Sequence, residues 1–135
     1  MIFNLQPLIP FADSPGQPWS PPPLSSTPHD PSTLKRIIGY LDNATLVYPW
    51  MEYTEDLIGG KFGVPGGSAT MSDGTYYWRY DAVEYLKHYP IRIPEEAIKH
   101  FESKNWRPLK LDFKSEEFKK LEKALDLVYK PRRKG

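Results

Sequence analysis

A chain of 135 residues with 39% hydrophobic content is long enough for one domain with its own core. It contains no cysteine, which excludes disulfides, a thiol nucleophile and cysteine-ligated zinc. The net charge of +1 hides a split: residues 42–102 carry ten acids and five bases, residues 103–135 eleven bases and five acids, so two faces of opposite sign are expected if these segments separate in space.

The chain opens "MIFNLQPLIPFADSP", with no basic leader region, and no stretch anywhere approaches the ~18 apolar residues of a membrane span. A cytoplasmic protein without a membrane partner is the expectation. Nine of the fifteen prolines fall in residues 1–31. Proline fixes φ and removes a donor, so residues 1–30 are expected to form an extended arm, not a helix or a central strand. Spaced apolar residues (Ile2, Phe3, Leu5, Leu8, Ile9, Phe11, Trp19, Leu24) give the arm something to bury. It is expected to wrap its own body or a neighbouring subunit, the latter making a homodimer through the arm.

A single α+β domain is predicted over 31–129. Asp30 suits an N-cap and Pro31 the first helical position, and Leu34, Ile37, Ile38 and Leu41 share one face of the helix that follows. "ATLVYPW" reads as a short strand stopped by Pro49, and the glycine-rich 51–71 as a loop returning to a strand near 68–71. Asp73-Gly74 predicts a type I′ hairpin turn. In the strand after it, Tyr76 and Trp78 point one way, Thr75, Tyr77 and Arg79 the other. Asp81 with Glu84 has the spacing of a capping box for "DAVEYLKHY", which Pro90 ends. Pro94, Glu95 and Glu96 open a helix burying Ala97, Ile98 and Phe101. "RPLKLDF" is extended, and a last helix runs from a Ser115 cap through Phe118, Leu121, Leu125 and Val128 to a basic tail at 130–135. Four helices around a small antiparallel sheet are expected.

Catalytic chemistry finds little support. "GGKFGVPGGS" lacks the G-x-x-x-x-G-K-[ST] order, since no Ser or Thr follows Lys61, so its glycines read as turn residues. His29, His88 and His100 stand alone, without the i+3 or i+4 partner of a metal site; His88 and His100 sit where an imidazolium favours a helix dipole. Asp73 and Asp81 are accounted for as turn and cap. Glu52, Glu55 and Asp56 lie in a loop expected to be exposed, which would not tune a pKa for acid–base work. No enzyme activity, cofactor or metal is expected.

Aromatic residues concentrate in the acidic middle while the bases gather at the end. A surface of that kind repels a phosphate backbone and suits a basic protein partner, because Tyr and Trp dominate protein interfaces. The candidate contact residues are Tyr48, Trp50, Glu52, Tyr53, Glu55 and Asp56, with Tyr77 and Arg79 from the outer strand face. A nucleic-acid-binding accessory protein using the basic C-terminal helix and tail is the alternative reading.

Over residues 34–106 the pattern "IIGYLDN", "ATLVYP", "IGG" and "SDGTYYWRYDAVEYLKHYPIRIPEEAIKHF" resembles a group of small bacterial immunity proteins encoded beside polymorphic or contact-dependent toxins. The shared features are a [ST]-D-G turn, an aromatic-x-Trp strand, an aspartate-led helix and a Pro-Glu-Glu helix. Arg79 stands where members of that group often have proline. The resemblance implies a non-catalytic inhibitor that binds a cognate toxin domain, a nuclease being one candidate, and blocks its active site or substrate approach. It carries over no contact residue, since such proteins vary most where they touch toxin.

Overall fold

The computed structural model describes residues 3–12 and 19–129; the basic tail at 130–135 lies outside them. Asp30 caps the first helix, α1 (Pro31–Asp42), its carboxylate accepting from the Thr33 N–H at 3.1 Å and the Thr33 hydroxyl at 2.7 Å. Ile37, Tyr40 and Leu41 form its buried stripe. Strand β2 (Thr45–Tyr48) pairs antiparallel with β5 (Thr70–Ser72), and β5 with β6 (Tyr76–Arg79). Helices α2 (Ala82–His88), α3 (Glu95–Ser103) and α4 (Glu116–Tyr129) follow. Ser115 caps α4 through a 3.1 Å bond from the Phe118 N–H. The fold is α+β, with four helices among the described residues.

The proline-rich arm packs on its own chain. Gln6–Pro7 forms a strand, β1, lying parallel to β6, so the larger sheet runs β1-β6-β5-β2 and is mixed where an antiparallel sheet was expected. Backbone bonds from Gln6 N to Thr75 O (3.0 Å), Leu8 N to Tyr77 O (2.9 Å) and Arg79 N to Phe11 O (3.0 Å) fix it. Pro7 is tolerated because an edge strand does not need every N–H. Leu8 and Phe11 are fully buried among the core side chains of α1, α2 and α3. Further along, the Ile93 N–H donates to His29 Nε2 at 3.1 Å, and an Arg92 guanidinium nitrogen donates to Thr27 O at 2.7 Å.

Two further expectations change. The glycine-rich 51–71 is not all loop: β3 (Tyr53–Glu55) and β4 (Gly63–Pro65) make a small antiparallel hairpin. At the Asp-Gly turn, register pairs Ser72 with Tyr77 and the Asp73 N–H bonds Tyr76 O, so the two central residues are Gly74 and Thr75. Only Gly74 has positive φ (+91°), which fits the II′ pattern instead of I′. Asp73 precedes the turn and holds it by accepting from the Thr75 and Tyr76 N–H groups at 2.9 and 2.7 Å.

The sheet is covered on both faces. Tyr76, Trp78 and Met71 join α1, α2 and α3 in the main core, as the alternation of β6 predicts for Tyr76 and Trp78. Tyr77 points the other way but is only 1% exposed, because Phe118, Leu121 and Leu125 of α4 close over that face together with Val47.

Two measurements check this packing. Tyr77→Ala should lower unfolding free energy by ~3–5 kcal/mol with an unchanged denaturant slope; a loss under ~1 kcal/mol would show that α4 does not cover the sheet. His29 is held neutral by burial and by the Arg92 charge, with a pKa below its ordinary 6.5. The unfolded chain therefore binds the extra proton first, and stability should fall as pH drops below 6.5. Replacing His29 by Gln should flatten that limb of the stability curve.

Candidate functional site

The candidate contact residues start at the end of β2. There the chain leaves the sheet at Pro49, runs through residues 50–52 and returns as the β3–β4 hairpin. Tyr48 stays half-buried. Its hydroxyl donates to the Asp126 carboxylate of α4 and its ring lies 6.1 Å from that of Tyr129. Trp50 meets Tyr48 edge-on at 6.5 Å but is itself 52% exposed. Met51 (95%) and Tyr53 (59%) are more exposed still, and Glu52 and Glu55 are exposed with them.

This segment is anchored from behind. The Gly66 N–H donates to Glu52 O at 2.8 Å and closes the hairpin onto the segment before it. The Thr54 hydroxyl donates to the buried Asp81 carboxylate at 3.0 Å. The Tyr53 hydroxyl lies over Gly63, where an added Cβ would come within 1.7 Å of it, so a larger residue at 63 would push the Tyr53 side chain aside.

Asp56 does not belong to the exposed set, which corrects the expectation for it. It is 6% exposed, and its carboxylate accepts from the N–H groups of Ile58 (2.8 Å), Gly59 (3.4 Å) and Lys61 (2.8 Å) and from the Tyr89 hydroxyl. Burial pushes its pKa up, but the Tyr89 hydroxyl and the three N–H groups outweigh that and hold the carboxyl below its usual range. Burial and the same bond raise the Tyr89 phenol to about 12. Asp56 is thus a loop-organising carboxylate, recognisable in sequence from the donors of "DLIGGK" that follow it.

Tyr77 and Arg79 also leave the set. Tyr77 lies under α4, its ring 6.0 Å from Tyr129. Arg79 bonds Asp81 through two nitrogens, Nε to Oδ1 at 3.0 Å and a terminal nitrogen to Oδ2 at 2.9 Å. Its guanidinium lies 4.0 Å from the centre of the Trp19 ring, tying the arm to β6. Asp81 itself is not the side-chain cap expected of it. Its backbone is already helical (φ −77°, ψ −1°) and its carboxylate turns back to Arg79 and Thr54.

What remains outward is Trp50, Glu52, Tyr53 and Glu55, to which the structure adds Met51 and Leu57, both passed over in the sequence reading. Their signal was apolar character inside a stretch too rich in glycine to bury it. The arrangement presents apolar contact area and two carboxylates on a braced loop. Among the described residues no group of three or more His, Asp or Glu side chains is placed to hold a metal ion, and no helix is long and apolar enough to cross a membrane.

Comparison with family models, with curated proteins and with solved structures finds no match to this chain.

The role of Asp56 can be measured. Asp56→Ala leaves three backbone N–H groups without their acceptor and should cost about 2 kcal/mol at neutral pH. Because the folded carboxyl titrates below 3.8, its contribution is present above that pH and is lost as pH falls through the folded value. The variant should therefore lose less stability than the parent on acidification below pH 3.8. The Tyr89 phenol, raised above 10.0 to about 12, contributes at the other end. Its share is lost as pH climbs through that range, and Tyr89→Phe should remove this alkaline loss.

Proposed function

We propose that the protein is a non-catalytic inhibitor of the immunity type, which binds a cognate bacterial toxin domain and covers its active site or the approach of its substrate. The observation that carries this reading is the braced, outward loop in which Trp50, Met51 and Tyr53 stand beside Glu52 and Glu55. Large aromatic side chains supply most of the energy in protein interfaces, and a loop already held in place loses little entropy on binding. The carboxylates add a preference for a basic surface, the kind a nuclease presents to its substrate. The same reading keeps the protein in the cytoplasm, without a cofactor and without enzymatic activity of its own.

The nucleic-acid alternative depends on a basic C-terminal face. Lys119 and Lys120 of α4 each pair with a glutamate three residues earlier, at 3.5 and 3.4 Å, and Glu122 and Asp126 add further acid to the same helix. The tail at 130–135 remains as its basic element by sequence.

The test is binding to a toxin domain encoded beside this gene. Glu52→Lys with Glu55→Lys should slow association ~10-fold at low salt, an effect that fades as salt rises. Trp50→Ala should speed dissociation and cost ~2 kcal/mol or more of affinity. If both variants bind as the parent does, this loop is not the contact surface. Salt-dependent binding of single-stranded DNA that disappears on removing residues 130–135 would support the alternative instead.

A further inference from the structure

A groove of about 660 Å³ lies along the edge of β2 that β5 does not use. Its lining includes both Leu46, which shares a face with Met71, and Val47, which faces α4. A space touching side chains from both faces of one strand must straddle that strand's edge.

Sequence explains why the edge is left open. The Thr45 hydroxyl donates to Leu109 O at 2.9 Å and accepts from the Leu111 N–H at 3.0 Å, clipping the 109–111 segment to the start of the strand. Beyond that clip the chain turns away. The Asp112 carboxylate accepts from the Lys114 N–H at 3.0 Å, and the Asp112 carbonyl accepts from the Ser115 N–H at 2.9 Å, starting the approach to α4. The rest of β2 then faces the groove, with the half-exposed Leu46 and Tyr80 and the 69%-exposed Phe113 around it. A ladder irregularity between Leu46 and Tyr48 and the stop at Pro49 limit the open edge to a few residues.

Charge decides between occupants. Asp42, Asp112 and Glu122 line the groove against a single lysine, Lys110. An unpaired strand edge in an apolar groove recognises extended chain, by main-chain hydrogen bonds along the edge and alternate side chains in the groove. The acidic rim selects among such chains for basic ones.

We propose that this groove takes an extended, basic segment of a partner protein as an added strand beside β2. Alternate apolar side chains of that segment settle between Leu46, Tyr80 and Phe113, and its lysines or arginines meet Asp42, Asp112 and Glu122. The source of the segment rests on the inhibitor reading, in which it belongs to the toxin; the recognition chemistry does not.

The probe is a phage-displayed library of random peptides panned on the full chain, with the enriched peptides then synthesised. The expected result is enrichment of sequences alternating apolar residues with lysine or arginine. In amide NMR spectra they should shift residues 44–48 and 111–113 and slow hydrogen exchange along β2. Asp42→Lys with Glu122→Lys, both exposed side chains on the groove, should weaken them ~10-fold at low salt while leaving thermal unfolding unchanged. Absence of enriched peptides, shifts mapping elsewhere, or indifference to the double variant overturns the proposal. Self-association abolished by the double variant would assign the edge to a second copy. Tighter peptide binding after removal of residues 130–135 would assign it to the chain's own basic end. Peptides that bind β2 while the toxin domain does not bind would sink the inhibitor reading and leave the groove standing. A bound toxin that leaves β2 exchange unchanged would do the reverse.

Discussion

The burial of β6 on both faces is the constraint on which the rest of the structure depends. Tyr76, Tyr77 and Trp78 are consecutive, so two of them enter the core beneath α1, α2 and α3 while Tyr77 enters the layer beneath α4. Each large aromatic removes roughly 150–250 Å² from water, a gross gain of about 4–6 kcal/mol per ring as an upper bound. A strand buried in this way must also have its backbone polar groups paired along both edges. β5 serves one edge, and the proline-rich arm serves the other through Leu8, Phe11 and Gln6. The arm is therefore part of the sheet, and its Leu8 and Phe11 are core residues that happen to lie between prolines.

Buried carboxylates hold the places where the chain reverses around this strand. Asp73 sits before the hairpin turn, accepts from the Tyr40 hydroxyl at 2.6 Å and has His100 Nε2 at 3.2 Å. Burial, and then the nearby Asp73 charge, raise the Tyr40 phenol far above its ordinary range, which keeps it a donor. Asp81 receives Arg79 and Thr54, and Asp56 receives three backbone N–H groups and Tyr89. The donors around each of these carboxylates satisfy lone pairs that burial would otherwise leave unpaired. Acids bonded in this way fix the geometry of the turns and loops they hold.

Local signals were legible wherever chemistry and position coincide. The Asp30 and Ser115 caps, the Pro-led start of α1 and the inward Tyr76 and Trp78 follow from residue type and spacing alone. Tyr77 and Arg79 were misread because alternation tells which residues share a face but not what covers the other one. Over Tyr77 the cover is α4, which begins some forty residues later in the chain, and Arg79 is held by Asp81 and the Trp19 ring of the arm. The Asp-Gly pair marked a hairpin correctly but not its frame, since the Asp73 side chain captures the Thr75 and Tyr76 N–H groups and moves the turn on by one residue. Asp81 illustrates the same limit: a good capping residue was claimed instead by an arginine two positions earlier, held flat by a tryptophan from the arm.

With both faces of the sheet covered, what the sheet itself leaves open are its edges and the loops that leave it. β1 and β2 are the two edge strands, and the open groove lies along β2. Pro49 lines that groove and is followed at once by Trp50, Met51, Glu52 and Tyr53. The open edge and the aromatic loop are thus consecutive parts of one strand-and-exit segment, and both carry acidic residues around apolar ones. They differ in what they offer. The edge offers main-chain hydrogen bonding, which sets the register of an incoming strand but reads little sequence. The loop offers anchors, which read shape and slow release. A partner engaging both would owe its specificity to the loop and its alignment to β2. Substitutions in residues 50–55 should then change which partner is bound, whereas substitutions along the groove should change how firmly any partner is held.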